Sequence, residues 1–221
     1  MKTVLIYSGG LDSTVLLTHY LDLDYDVTAL HFNYGQKHHF REYLAVRRIF
    51  KHYKLKNENL ISIELPFIGQ LFKSALLEGG DDIPDGSYDR DNMGSTVVPF
   101  RNGIMLSIAA GYAESINCYH IAIANHAGDH TLYPDCTPTF ISNMFNAINI
   151  GTNRKVSLES PFLHMNKAEI VNEGFIMKVP LHLTYSCYKG GEKHCGVCGT
   201  CRERRSAFKK AGVHDHTDYI E

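Results

Sequence analysis

Seven consecutive residues, Ser8, Gly9, Gly10, Leu11, Asp12, Ser13 and Thr14, set hydroxyls, a carboxylate and paired glycines between an apolar run and a helical pattern. A glycine turn there lets main-chain amides face an anion, and the start of the helix adds its dipole. The segment reads as a phosphate cradle, with the Gly9 and Gly10 amides and the Ser8 and Ser13 hydroxyls on pyrophosphate oxygens. Asp12 is then placed to hold magnesium or the loop itself. The lysine and spacing of a Walker loop are missing, which counts against simple γ-phosphoryl transfer, and the run is no dinucleotide fingerprint. A glycine turn without a ligand is the alternative reading.

The second concentration of chemistry is Cys187, Cys195, Cys198 and Cys201, in the pattern C-x7-C-x2-C-x2-C with glycines interspersed. Four soft thiolates at this spacing suit a tetrahedral zinc ion, and an iron–sulfur cluster is the rival. With every position filled by protein, zinc here is expected to be structural. Cys118, just before a strand, is expected in the core. Nothing visible in the sequence lowers the pKa of Cys136, so a nucleophilic role for it has little support.

Elements that place these groups follow from periodicity. Thr3 to Tyr7 is an apolar β-branched run, after which Leu11, Val15, Leu16 and Tyr20 recur at helical spacing. Further strands are expected at Val27 to Phe32, Leu60 to Leu65 and Tyr119 to Ala124, and a helix carrying Leu44, Ile49 and Tyr53 follows the second strand. More helices are expected at Asn102 to Ile116, about Thr137 to Asn149, and Lys167 to Glu173 behind an Asn166 cap. Nearly continuous apolar strands alternating with helices give an α/β fold with a doubly wound, mainly parallel sheet. Gly79 to Gly94 reads as a long loop. Residues 1–183 are expected to form the α/β domain, and 184–221 a small cysteine-bearing segment packed on it.

Composition narrows the class. An apolar share of 44%, a charged share of 21% and a net charge of −2 describe a folded chain with no global field to recruit a polyanion. The run Arg202, Arg204, Arg205, Lys209 and Lys210 is expected to be a solvated helix face. No secretory signal or membrane-spanning stretch is evident, so a cytoplasmic location is expected, with no membrane contact and no stable nucleic-acid binding.

The string S-G-G-x-D-S resembles the PP-loop of N-type ATP pyrophosphatases, which split ATP between the α and β phosphates. Together with H-F-N-Y-G-Q from His31, V-P-F-R-N from Val98, Y-P-D-C from Tyr133, N-K-A-E-I from Asn166 and T-Y-S-C-Y from Thr184, it resembles the 7-cyano-7-deazaguanine synthase family over nearly the whole chain. The resemblance implies an adenine nucleotide alpha hydrolase-like fold. It also implies ATP with magnesium, structural zinc, and conversion of 7-carboxy-7-deazaguanine and ammonia to a nitrile through an acyl adenylate and an amide. Asp12, Arg101 and Lys167 become catalytic candidates, with Lys167 on the α-phosphate. Tyr34, Gln36, Arg101, Asn102, Asp135 and Cys136 become substrate-site candidates, Asn102 doubling as a helix cap, and a homodimer is implied. The chain departs from the family at Tyr185, where tryptophan is usual, and at Phe100, where a small residue is. Three other readings stay open: a family variant that stops at the amide, a PP-loop enzyme acting on RNA, and a module that senses ATP without turnover.

Overall fold

The computed structural model describes residues 1–220. Five parallel strands form one sheet in the order β3-β2-β1-β4-β5: β1 Lys2–Ile6, β2 Asp26–Asn33, β3 Leu60–Glu64, β4 His120–Ala122 and β5 Ser157–Glu159. The doubly wound α/β fold expected from the alternation is the one observed. Because side chains alternate along a strand, Val4 and Leu5 enter opposite cores, and both are fully buried. Each such burial contributes roughly 1.5–3 kcal/mol.

The helices are α1 Leu11–Asp22, α2 His39–His52, α3 Pro66–Leu71, α4 Arg90–Met93, α5 Arg101–Ser115, α6 Pro138–Gly151, α7 Lys167–Ile176 and α8 Gly199–Ala211. One face of the sheet is covered by α5 and α6, through residues such as Met105, Leu106 and Ile141. The other is covered by α1, α2, α7 and the end of α8, through Val15, Ile49, Ile170 and Phe208. Asn166 caps α7 as expected, and Glu169 completes a capping box.

Differences from the expected elements have local causes. β5 is only three residues long and reads Ser-Leu-Glu, too short and polar to register as a strand, yet it pairs with all of β4. The long loop holds the single turn α4, capped by the Asp89 side chain. Asn102 is the second residue of α5 and does not cap it, because Phe100 takes the N-cap position with a left-handed φ of 52°. The cap is supplied from elsewhere in the chain: Asn102 N donates to Asp135 Oδ2 at 2.8 Å.

The chain runs outward from β1 to β2 and β3, then crosses to β4 on the other side of β1. The carboxyl ends of β1 and β4 therefore flank a topological switch point, where open α/β sheets form their ligand crevice. A cavity of about 220 Å³ lies there.

Candidate active site

The cradle closes one wall of this cavity. Ser8 Oγ and Ser13 Oγ are 3.1 Å apart, and Ser8 Oγ accepts from Gly10 N at 3.2 Å. Thr14 turns inward, donating to Gly10 O at 2.8 Å and meeting the Tyr7 hydroxyl at 3.3 Å. Ser8, Gly10, Leu11, Asp12 and Ser13 line the cavity, whereas Gly9 and Thr14 support it from behind. No side chain caps α1, so its first turn is open to an anion. Gly9 adopts a φ of +78°, and a Cβ there would sit 2.8 Å from Val46 Cγ2 and 3.0 Å from Glu42 O. The close approach of α2 is what requires glycine.

Lys167, at the start of α7, reaches the cradle from across the cavity, its Nζ 2.5 Å from Asp12 Oδ2 and 3.6 Å from Glu203 Oε2. Burial opposes the Lys167 charge, but Asp12, Glu203 and Asp129 outweigh it and hold the ammonium protonated well above its ordinary range. Burial likewise opposes the charge on Asp12, and Lys167 with His126 holds its carboxyl below the usual value. His126 Nδ1 accepts from Gly128 N at 3.1 Å, which in the neutral ring puts the proton on Nε2, facing Asp129 Oδ2 at 3.5 Å. Asp12 Oδ1 is buried without a hydrogen-bond partner.

A second lobe is built around Arg101. Its Nη1 donates to the Tyr34 hydroxyl at 3.1 Å, and the guanidinium lies 5.6 Å from the Tyr34 ring centroid. Gln36 is fully enclosed and braces the turn, accepting from Tyr34 N at 2.9 Å and donating to Phe32 O at 3.0 Å and Glu42 Oε2 at 2.9 Å. Burial lifts the Glu42 carboxyl to about 7, with Gln36 and Arg101 only partly offsetting it. Asn102 and Cys136 line the cavity and touch each other, Nδ2 to Sγ at 3.2 Å. Burial, then Asp129 and Asp135, push the Cys136 thiol far up, so it is a poor nucleophile. Asp135 is buried behind them, committed to the amide of Asn102.

The four cysteine sulfurs at 187, 195, 198 and 201 all lie within 4.8 Å of one another. Cys195 and Cys201 sulfurs are 3.9 Å apart, close to the ~3.8 Å edge of a tetrahedron with metal–sulfur bonds of about 2.3 Å. Backbone amides of Cys195 and Cys198 point at the sulfurs of Cys187 and Cys195, at 3.4 and 3.3 Å, as suits thiolates. The donor set fits a closed, four-coordinate ion. Cys118 is buried in the core as expected.

This knuckle is tied to both lobes. Tyr185 N donates to Gly9 O at 3.1 Å. Asp85 and Cys198 form a β-bridge, and Lys189 Nζ meets Asp85 Oδ1 at 2.6 Å, fastening the long loop that carries Tyr88 to the cavity edge. Within the basic run, Arg202, Arg205, Lys209 and Lys210 are exposed as expected, but Arg204 is 1% exposed, a correction to the reading of that face. Arg204 donates to Thr184 Oγ1 and Leu181 O at 2.8 Å each and to Ser186 Oγ at 3.0 Å. On the same turn of α8, Glu203 reaches Lys167 at 3.6 Å.

His126, Asp129, Glu203, Glu42 and Tyr88 were not singled out by sequence, and Tyr133 and Tyr188 fell within the quoted segments without being named as site residues. For His126 and Asp129 a signal existed, since they follow the carboxyl end of β4 at the switch point. Glu203 had none, lying inside a basic run.

A family profile described as "Queuosine biosynthesis protein QueC" matches residues 2–212. A relative from Desulfotalea psychrophila, described as 7-cyano-7-deazaguanine synthase, is 45% identical over 220 residues, covering 100% of this chain and 99% of its own. Another of that description, from Porphyromonas gingivalis, is 49% identical over 217 residues, covering 98% and 96%. Among solved structures, the U34-tRNA thiolase NcsA from Methanococcus maripaludis with its 4Fe-4S cluster matches 97% of this chain and 73% of its own at a TM-score of 0.52. At 14% identity that likeness concerns the fold alone.

Proposed function

The chain belongs to the QueC family of queuosine biosynthesis proteins, and from that premise we propose that it is a 7-cyano-7-deazaguanine synthase, a ligase that uses ATP to turn 7-carboxy-7-deazaguanine and ammonia into the nitrile. The observation that carries this reading at the level of chemistry is a single cavity with an uncapped helix start on one side and two cations, Lys167 and Arg101, on others. A carboxylate and a triphosphate repel each other, and these cations offset that repulsion.

In the proposed sequence a carboxylate oxygen attacks the α-phosphorus and pyrophosphate leaves from the Ser8–Ser13 cradle. Ammonia attacks the acyl carbon, expelling AMP and losing a proton to leave the amide. The amide oxygen then attacks the α-phosphorus of a second ATP, expelling a second pyrophosphate, and loss of AMP with the two remaining N–H protons forms the nitrile. Lys167 neutralises charge that gathers on the α-phosphate, held in place by Asp12 and Glu203. Asp12, whose Oδ1 has no hydrogen-bond partner, would hold a magnesium ion that would offset charge on the phosphates. Cys136, held protonated, takes no covalent part.

Zinc is the proposed occupant of the four-cysteine site, with a structural role. No helix among the described residues is long and apolar enough to cross a membrane, and a cytoplasmic homodimer is the proposed working form. The test is release of pyrophosphate from ATP. It is expected only when 7-carboxy-7-deazaguanine is present, and release that ignores this compound would refute the reading.

A further inference from the structure

Two of the cavity's cations differ in how far the protein already neutralises them. Lys167 is engaged by two carboxylates, Asp12 and Glu203. Among the described residues Arg101 has no carboxylate within 4.0 Å, and its one side-chain hydrogen bond is donated to a neutral phenol, that of Tyr34. Asp135, whose charge acts on Arg101 without an ion pair, is spent on the α5 amide. A guanidinium has five N–H donors in a planar fork, so most of this one remains open toward the cavity.

The wall beside it is aromatic. Tyr88, Tyr133 and Tyr188 line the cavity and pack about a small cluster that also holds Met93, Leu132 and Cys136. Two of the phenols are fixed by protein partners: Tyr88 donates to Asp129 Oδ1 at 2.8 Å, and the Tyr133 hydroxyl meets Thr96 Oγ1 at 3.3 Å. Tyr188 stacks on His38 with centroids 5.1 Å apart. Rigid rings around an open guanidinium suit a flat aromatic heterocycle bearing a carboxylate, which stacks and is gripped at once. A flexible, highly charged triphosphate suits the cradle and the Lys167 cluster instead.

We infer that Arg101 with Tyr88, Tyr133 and Tyr188 forms the seat of the heterocyclic acid, Arg101 reading its carboxylate in bidentate fashion, and that Arg101 is not a phosphate ligand. The inference rests on the proposed synthase function and refines the site by dividing it into an acid seat and a nucleotide seat. It makes the tyrosines specificity residues contributed by three separate segments. Tyr88 belongs to the loop fastened by Asp85 to the knuckle, Tyr133 to the segment after β4, and Tyr188 to the knuckle itself.

Calorimetric titration of the zinc-loaded protein with three ligands tests this: 7-carboxy-7-deazaguanine, 7-deazaguanine lacking the carboxylate, and ATP. Arg101→Ala is expected to weaken the first about tenfold to a hundredfold while leaving the other two unchanged. Tyr188→Leu is expected to weaken both deazaguanines and spare ATP. Arg101→Lys, which keeps the charge and loses the fork, serves if the alanine variant does not fold. Loss of ATP binding in an Arg101 variant, equal loss of both deazaguanines, or no loss at all would each overturn the assignment. Substrate-dependent pyrophosphate release by the wild-type protein, measured alongside, separates failure of this division from failure of the synthase reading.

Discussion

The amide of Tyr185 donates to the carbonyl of Gly9 at 3.1 Å, so the cysteine knuckle and the phosphate cradle share a hydrogen bond. Tyr185 lies two residues before Cys187, and its hydroxyl donates to Gly191 O at 2.9 Å, inside the knuckle. Whatever orders the four thiolates also orders the back of the cradle.

Metal removal is therefore expected to cost nucleotide binding as well as stability. Elemental analysis of the purified protein should find zinc, and chelation should lower the melting temperature and the ATP affinity together. Zinc-free protein that binds ATP like untreated protein would show that the Tyr185–Gly9 link is not needed for the cradle.

The two cradle glycines should respond differently to alanine. Gly9→Ala meets backbone and Val46 at 2.8 to 3.0 Å with φ at +78°, and is expected to destabilise by about 1–3 kcal/mol. Gly10 has an extended backbone with φ −74°, and a Cβ there would meet only the Ser8 hydroxyl closely, at 3.1 Å. Gly10→Ala should cost clearly less in a denaturant titration, and equal costs would contradict the packing described.

Arg204 and Lys210 sit in the same basic run but in different surroundings. Arg204→Ala removes the donor to the Thr184 and Ser186 hydroxyls and one of the donors to Leu181 O, and it leaves the Asp215 carboxylate, 3.6 Å from its Nε, without its cation. A loss of about 3–5 kcal/mol is expected. Exposed Lys210→Ala should stay within about 0.5 kcal/mol. Urea midpoints of the two variants measure the contrast.

This pair also shows where sequence reading stops. Periodicity placed β1, α1 and α7 and the cap at Asn166, because apolar spacing and capping chemistry are local. The glycine turn between β1 and α1 and the four-thiolate cluster were equally local. The inward turn of Arg204, the reach of Glu203 to Lys167 and the capping of α5 by Asp135 are not, since each depends on segments more than thirty positions apart meeting, or on which side of α8 faces the cavity. Arg101 was legible as a residue of interest, but its lack of an acidic partner became visible only once its neighbours were in place.

Glu42 should leave a mark on the pH dependence of stability. Its folded pKa is raised to about 7 from an ordinary 4.5, so its contribution is intact below pH 4.5 and is lost as pH rises through 7. Glu42→Gln keeps an acceptor for Gln36 and removes the titration. The variant is expected to gain stability over wild type progressively between these limits, with the gap closing in acid. Taking the difference between the two proteins cancels the distant histidines 31 and 194, which burial holds neutral in both, while His38, 3.6 Å from the Glu42 carboxylate, is followed separately. A constant gap from pH 4 to 8 would mean that folding leaves the Glu42 pKa unshifted.

The central claim is that one cavity activates the same carbon twice, first as the carboxylate to give the amide and then as the amide to give the nitrile. Zinc-loaded protein incubated with ATP, magnesium, 7-carboxy-7-deazaguanine and nitrogen-15 ammonium should yield 7-cyano-7-deazaguanine carrying one labelled nitrogen, with two pyrophosphates released per nitrile. A labelled amide that accumulates with one pyrophosphate, or a product without the label, would contradict it.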